Sequence, residues 1–411
     1  MSSIVSLNNS YHQPFQSFWM AGYECADHQN AFGIRVDLLE QTKHLQFIQE
    51  DYASLKSFNI ETVREGIRWS KVETRPYQYD WRDVITMIRA AQDHNIQQVW
   101  DICHFGFPDD LTPLHPMFAR RFSHLCRDFV KMYRSLEPDK KLIIVPINEV
   151  SFLSWLGGDA RGTSPYCVNQ GFEVKYALMK AYIEGAQAMK DIDRNVMIQT
   201  TEPLVNFVAE DVHDELQVLD ASSFTEYQFQ SVDMLIGKVC PELGGHDGLL
   251  DILGFNFYYN NQWIHNKKEF LPWFNDDNDP RWRSFSDLLI SAYSRLMKPF
   301  VVSETSHCND HRPNWLEYVS KEMSKVVESG YPLKGACLYP IINRPDWDQL
   351  NDWHLAGLWD LKVDENNFGH ERIICHPYAS ELFTAQQRIT NSFLMLAETP
   401  VIMGISKDQV A

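Results

Sequence analysis

The stretch LIIVPINEV, residues 142–150, is a short run of apolar and β-branched residues with an asparagine and a glutamate just before its final valine. A run of this length and composition is typical of a strand that is buried on both faces of a parallel sheet. Similar runs recur along the whole chain. There are eight, at residues 18–25, 62–69, 98–105, 142–150, 196–203, 250–259, 300–305 and 334–342.

The segments between these runs have the spacing of amphipathic helices. Residues 40–58, 81–94 and 120–136 place apolar side chains at positions i, i+3, i+4 and i+7. A strand and a helix repeated eight times predict an α/β fold in which the strands close into a single (β/α)8 TIM barrel. The alternative is a doubly wound open sheet, which the lack of a GxGxxG motif after the first run disfavours.

The length of 411 residues fits one elaborated barrel, since a bare one takes about 250 residues. Residues 157–172, 206–248 and 260–286 are too long for plain connections, and we expect them to extend the loops at the C-terminal face as binding walls. No repeat or Pro/Ser-rich linker divides the chain. We therefore predict one domain over residues 1–411, with a barrel core at about 17–347 and a closing helix and tail at 373–411.

Composition excludes several function classes. The chain has 37 Lys and Arg against 55 Asp and Glu, a net charge of −18, which disfavours nucleic acid and anionic membrane surfaces as partners. Its eight cysteines stand singly, and the 15 histidines form no HExxH or HxH motif, so we predict neither a metal nor another cofactor. With no secretory signal and no long apolar run, we expect a soluble protein in the reducing cytoplasm.

Two glutamates close apolar runs, where a barrel enzyme builds its site. Glu149 ends the fourth run and Glu304 ends the seventh. A single glutamate at a strand end is more often a loop residue, but this pair would face each other across the barrel mouth. A retaining glycosidase needs two carboxyl groups about 5 Å apart, one as nucleophile and one as acid. The pair also predicts a cation for Glu304, and Arg64 at the second run is the candidate.

Several short motifs resemble those of glycoside hydrolase family 1 and its relatives in clan A. The match runs from about residue 18 to residue 347. It is carried by VREGIRWSKV (63–72), CHFGFP (103–108), INEV (147–150), LGFNFYY (253–259) and VSETS (302–306).

The resemblance implies a role for each matching residue. Glu149 would be the acid/base, Glu304 the nucleophile, and Tyr258 its hydrogen-bond donor. At the outer edge of the site the family's first-strand Tyr-Gln is not clearly present, and GYECADH offers Glu24 and His28 instead, while YPIINRPDW keeps only an acid and an aromatic residue. The predicted substrate-binding residues are His104, Asn148, Asn256, Glu24, Asp346 and Trp347.

Departures from the family pattern concentrate where the sugar would be recognised. Val150 replaces a proline after the acid/base, and Thr305-Ser306 replaces Asn-Gly after the nucleophile. The sequence therefore predicts a retaining β-glycosidase, β-glucosidase-like or β-galactosidase-like, that acts on a small glycoside or oligosaccharide. A transglycosidase with the same site and a non-catalytic carbohydrate-binding barrel are the alternatives. The sugar and the oligomeric state stay open.

Overall fold

Parallel strands form the centre of the computed structural model, which describes residues 13–267, 269–273, 279–362 and 371–398. These strands are β1 Trp19–Gly22, β2 Thr62–Gly66, β3 Gln97–Cys103, β4 Ile143–Ile147, β5 Met197–Ile198 with Glu202–Pro203, β6 Leu253–Asn256, β7 Phe300–Thr305 and β8 Leu333–Leu338. Each strand coincides with one of the eight apolar runs.

Strand β5 closes the sheet into a barrel. Its first segment pairs with β4 and its second with β6, so the two segments lie at opposite ends of the nine-segment hydrogen-bonding order. Between them, Gln199 N donates to Ile144 O at 2.9 Å and Thr200 N donates to Ile252 O at 3.0 Å. The chain therefore bonds to both neighbours through this region, and the predicted (β/α)8 fold class is confirmed.

Helices surround the strands. The longer ones are α1 His44–Leu55, α2 Arg82–His94, α3 Phe118–Leu136, α4 Gly171–Ile192, α5 Glu215–Glu226, α6 Phe285–Leu296, α7 Arg312–Glu328 and α8 His376–Glu398. Shorter helices cover Leu38–Gln41, Trp69–Val72, Val150–Gly158 and Gln230–Leu235. The helix predicted at 40–58 begins only at His44, because Lys43 has a left-handed backbone with φ 55°.

Besides the barrel, the described residues form four two-stranded sheets. They are Glu73–Arg75 with Gln78–Tyr79, Asn206–Val208 with Gln262–Ile264, Arg344–Pro345 with Trp353–His354, and Trp359–Lys362 with Glu371–Ile374.

The core has two parts because successive strand residues point to opposite faces. Ile143 and Val145 belong to a small cluster inside the barrel, together with Val99 and Val301. Ile144, between the first two, belongs to the large cluster between strands and helices. Polar groups at the strand ends therefore rest on an apolar interior.

The long connections differ in part from the prediction. Residues 206–248 were expected to extend a loop, but they contain α5 and the Gln230–Leu235 helix. The Asp214 side chain caps α5 by accepting from the backbone N–H groups of Leu216 and Gln217, which explains why a helix begins there. The predicted tail from residue 399 onward lies outside the described residues, as do 268 and 274–278 of the third connection.

No helix in the described ranges is long and apolar enough to cross a membrane. All eight cysteines carry free thiols.

Candidate active site

Strand β7 contains one extra residue just before Glu304, close to the C-terminal end of the strand. Along β6, Phe255 pairs with Val302 and Asn256 pairs with Glu304, which leaves Ser303 as the extra residue. The register with β8 shifts in the same region. Because the residue two positions before Ser303 lies inside the barrel, regular alternation would point Glu304 outward. This β-bulge turns Glu304 inward instead.

Glu304 receives two short hydrogen bonds at the mouth. Arg64 Nη1, from β2, donates to its Oε1 at 2.6 Å, and Tyr258 OH, just after β6, donates to its Oε2 at 2.7 Å. Burial raises the pKa of Tyr258 well above its usual range, and the neighbouring Glu304 raises it further, so the phenol keeps its proton. Both partners favour a negatively charged carboxylate.

Arg64 connects Glu304 to Asp101 on β3 and to Asn148 after β4. Its Nη2 donates to Asn148 Oδ1 at 2.8 Å and lies 2.8 Å from Asp101 Oδ2, and its Nη1 also donates to Ser303 O at 3.2 Å. Burial lowers the pKa of Arg64, but Asp101 and Glu304 outweigh that effect and raise it well above its usual value. The guanidinium therefore stays charged although it is only 2 % exposed.

His104 is held by the same aspartate. Its Nδ1 lies 2.8 Å from Asp101 Oδ2, and its Nε2 lies 3.3 Å from Asn148 Nδ2. The Tyr339 ring stacks on the imidazole at 5.7 Å between centroids. Burial lowers the pKa of His104, but Asp101 and Glu24 shift it above its usual value.

Asp101 and Tyr339 were missed at the sequence level. Asp101 is a lone acid inside the apolar run QQVWDIC, and Tyr339 directly follows β8. The Tyr339 ring lies against β1, where a Cβ on Gly22 would come within 2.0 Å of it. A glycine in β1 is therefore required for this ring position. For Tyr339 the available signal was the one used for the glutamates, a position next to a strand end, whereas Asp101 lies inside its strand.

Glu149 lies in a different environment from Glu304. Its backbone is left-handed, with φ 45° and ψ 57°, and it immediately precedes the Val150–Gly158 helix. Asn256 Nδ2 donates to its Oε1 at 2.8 Å. Burial raises the pKa of Glu149 well above its usual value, and the negative charge of Glu304 raises it further. This carboxyl group is set up to hold a proton.

Asn256, the last residue of β6, hydrogen-bonds to Glu149 and to Ser303, the residue before Glu304. Its Oδ1 accepts a 2.6 Å hydrogen bond from Ser303 Oγ while its Nδ2 holds Glu149, and the side chain is fully buried. Both ends of the amide are thus used within the site. One asparagine links the bulge on β7 to the carboxyl group after β4.

Glu24 reaches the mouth from the segment after β1. Its Oε1 lies 3.4 Å from Tyr339 OH and 3.5 Å from His104 Nε2, while Arg344 Nε lies 3.3 Å from its Oε2. Glu24 thus joins the predicted histidine to the loop after β8.

Trp347 and Asp346 lie on the loop after β8, but they are placed differently. Trp347 packs edge-on against His28, at 4.7 Å between ring centroids, and against Phe105 at 5.2 Å. Asp346 instead accepts the backbone N–H groups of Asp348 and Gln349. The structure therefore brings Trp347 beside the buried aromatic rings near the mouth, whereas the Asp346 carboxylate organises its own loop.

One cluster in the described part of the chain has the donor types of a metal site. Single ligand atoms of Cys25, Asp101 and His104 lie within 4.8 Å of one another. The Asp101 carboxylate already forms an ion pair with Arg64. Burial raises the pKa of the Cys25 thiol well above its usual value, and the charge of Asp101 raises it further. A cation would have to displace the guanidinium and deprotonate the thiol, so these residues fit a hydrogen-bonded network better than a metal site.

Asp101→Ala is expected to reduce the free energy of unfolding by about 3–5 kcal/mol, because it leaves Arg64 and His104 buried without their shared partner. Urea unfolding measures the change. Glu317→Ala is the control, since Glu317 pairs with Lys321 on the surface of α7, and we expect an unchanged midpoint. Equal midpoints for wild type and Asp101→Ala would contradict a stabilising role for this network.

Neither a protein-family model nor a curated protein sequence matches the chain. Solved structures do match. A family 1 β-glucosidase from Thermotoga maritima has a TM-score of 0.71 at 13 % identity, covering 92 % of this chain and 98 % of that one. The AHE enzyme from Alicyclobacillus herbarius has a TM-score of 0.69 at 15 % identity, covering 93 % and 99 %.

The β-glucosidase from Thermotoga maritima in complex with deoxynojirimycin has a TM-score of 0.67 at 13 % identity and covers 84 % of this chain and 88 % of that one. At such identities the likeness establishes the fold. The chain has a TIM-barrel fold similar to that of family 1 β-glucosidases.

Proposed function

We propose that the protein is a retaining β-glycosidase that hydrolyses small β-glycosides, with Glu304 as nucleophile and Glu149 as acid/base. One observation carries the proposal: two carboxyl groups share a barrel mouth in opposite environments. Glu304 accepts from Arg64 and Tyr258, whereas Glu149 has a raised pKa because of burial and the nearby Glu304. A charged carboxylate beside a protonated one is what double displacement requires.

In the first displacement, the Glu304 carboxylate attacks the anomeric carbon and forms a glycosyl ester. The bond to the leaving oxygen breaks, and Glu149 gives its proton to that oxygen. Glu149 is then ionised, and Glu304 is neutral because its carboxylate has become part of the ester. Arg64 and Tyr258 keep the attacking carboxylate oriented through both of its oxygens.

In the second displacement, Glu149 acts as base. It takes a proton from a water molecule, which attacks the anomeric carbon and releases Glu304 as a carboxylate. Two inversions at the same carbon give net retention. No cofactor has a part in either step.

We infer that the sugar is bound by the polar groups around the carboxyl pair. His104, Asn148 and Glu24 form a connected edge of the site, and Trp347 supplies an aromatic face nearby. Asn256 acts through Glu149, because its amide already holds that carboxyl group. The likeness to a β-glucosidase in complex with deoxynojirimycin, a sugar-like inhibitor, supports a glycoside as substrate.

Trapping with activated 2-fluoro glycosides tests the proposal. We expect the reagent of the right sugar to add its glycosyl mass to the peptide that contains Glu304, since 2-fluorination slows both steps while an activated leaving group preserves the first. A panel of aryl glycosides that differ in sugar and anomer identifies the substrate. Binding of sugars without labelling or turnover would favour a carbohydrate-binding barrel, and transfer to an added alcohol in place of water would favour a transglycosidase.

The pH dependence of kcat/KM is expected to be bell-shaped. Glu149 must be protonated in the first step, so activity falls as the pH rises through its raised pKa, and this alkaline limb lies above the usual range of a glutamate. At low pH activity falls again, because a protonated Glu304 cannot attack. Rates for a substrate with a poor leaving group across pH 3–10 provide the measurement, and a profile without the alkaline limb would contradict the assignment of Glu149.

A further inference from the structure

The helix Val150–Gly158 begins directly after the proposed acid/base and leaves backbone N–H groups that need acceptors. A residue in the position of Glu149, just before the first turn, commonly supplies that acceptor from its own side chain. Here the Glu149 side chain makes no such bond. Another group must serve the helix if Glu149 is to face the mouth.

Glu202, on the second segment of β5, supplies that acceptor. Ser151 N donates to Glu202 Oε2 at 3.1 Å. Two backbone contacts fix the position: Glu149 N donates to Thr201 O at 2.9 Å, and Glu202 pairs in register with Phe255 of β6. Glu202 is only 6 % exposed, and nothing in the mechanism above uses it.

We propose that Glu202 is a positioning residue for proton transfer, which caps the Val150–Gly158 helix in place of Glu149 and so leaves the Glu149 carboxyl group free for the mouth. The inference rests on the proposed function and deepens it. Asn256, on β6, then holds the Glu149 carboxyl group through its side-chain amide. Proton donor and helix cap are separate residues, the first after β4 and the second on β5.

The charge of Glu202 has a second effect. A helix N-terminus carries a partial positive charge that would stabilise an ionised Glu149 and so favour early loss of its proton. Glu202 opposes this: after burial and Glu304, it is a further cause that raises the pKa of Glu149, whereas Arg64 lowers it.

The groups that face Glu202 itself come from α4, from the Gln230–Leu235 helix and from Ser151 of the helix that it caps. Burial, the largest effect, raises the pKa of Glu202, whereas the hydrogen bonds from Ser151 and the charge of Lys175 lower it. Ser231, whose Oγ lies 3.4 Å from Ser151 Oγ, also lowers it, and Tyr182 of α4 is buried and protonated.

Two substitutions separate the cap from the charge. Glu202→Gln keeps an oxygen that can accept from Ser151 but removes the charge, so we expect the alkaline limb of kcat/KM to move about 0.5–1 pH unit lower. Glu202→Ala removes the cap as well. We expect it to lower kcat/KM about 10–100-fold for alkyl glycosides, which need the acid, and to change it little for 2,4-dinitrophenyl glycosides, which do not.

Glu322→Gln is the matched control. Glu322, on α7, accepts from Ser286 N at 3.2 Å at the start of α6, and it is also buried and lies near a lysine, Lys325. It has the same capping geometry away from the carboxyl pair. We expect this variant to keep both the alkaline limb and the ratio between the two substrates.

A titration of the Glu149 carboxyl group by carbon-13 NMR, with Glu149→Gln to assign its signal, tests the inference without turnover. A lower midpoint in Glu202→Gln supports the inference even if no glycoside is hydrolysed, in which case the proposed function alone fails. An unchanged midpoint, together with equal losses on both substrates in Glu202→Ala, would overturn it, because a merely structural role predicts that pattern.

Discussion

Glu304→Ala is expected to abolish hydrolysis and to regain part of the activity when azide is added. The substitution removes the group that forms the covalent bond, and we expect kcat to fall by at least about 10⁴-fold, as it does for nucleophiles elsewhere. Azide fits the space that the side chain vacates and attacks the anomeric carbon from the same face. The product should be a glycosyl azide of inverted configuration, which NMR identifies.

Glu304→Gln is the matched variant for this experiment. Its amide fills the vacated space and can still accept from Arg64 or Tyr258, so we expect the same loss of hydrolysis but no recovery with azide. Thermal unfolding shows whether each variant is folded. Activity close to that of wild type in Glu304→Ala would remove this residue from the nucleophile position.

Glu149→Ala is expected to slow the enzyme by an amount that depends on the leaving group. Alkyl glycosides require proton transfer, so we expect kcat/KM to fall about 10²–10⁴-fold. Activated aryl glycosides leave as stable anions, and their first step should change little. The alkaline limb of the pH profile should disappear, because it reports the raised pKa of this carboxyl group.

A series of aryl glycosides with leaving groups of increasing acidity measures this dependence. In wild type we expect a shallow slope of log kcat/KM against leaving-group pKa, and in Glu149→Ala a steep one. Equal losses across the series would place Glu149 outside proton transfer. Glu322→Gln again provides a control in which a distant buried carboxyl group is neutralised.

The strands could be predicted because parallel strands are buried on both faces and stand out as apolar runs. Their ends were less predictable. The run 142–150 extends three residues beyond β4, which ends at Ile147, because the left-handed backbone of Glu149 ends the extended conformation and Val150 begins a helix. The error at residues 206–248 has another origin: a helix such as α5, with exposed apolar side chains, lacks the amphipathic pattern that predicts helices.

The candidate site was predictable where a charged residue stands at the end of an apolar run, as Glu149 and Glu304 do. Asp101 was not, since one acid within an apolar run is not distinguished from a satisfied core residue. Glu202 likewise has no sequence signal, because its importance depends on a helix that starts after another strand. Pair contacts across the barrel decide these roles, and a single sequence does not contain them.

The extra residue in β7 has a consequence for anyone who transfers this site to another scaffold. An idealised barrel with uniform strands has no place for an extra residue. If Ser303 took a regular position in the ladder, the strand would be kept but Glu304 would rotate into the layer of helices. A graft that copies the side chains alone would therefore present a serine to Arg64. The extra residue therefore has to be transferred together with the side chains of the site. A sequence alignment that leaves no gap opposite Ser303 would pair Glu304 with an outward-facing residue of a regular strand.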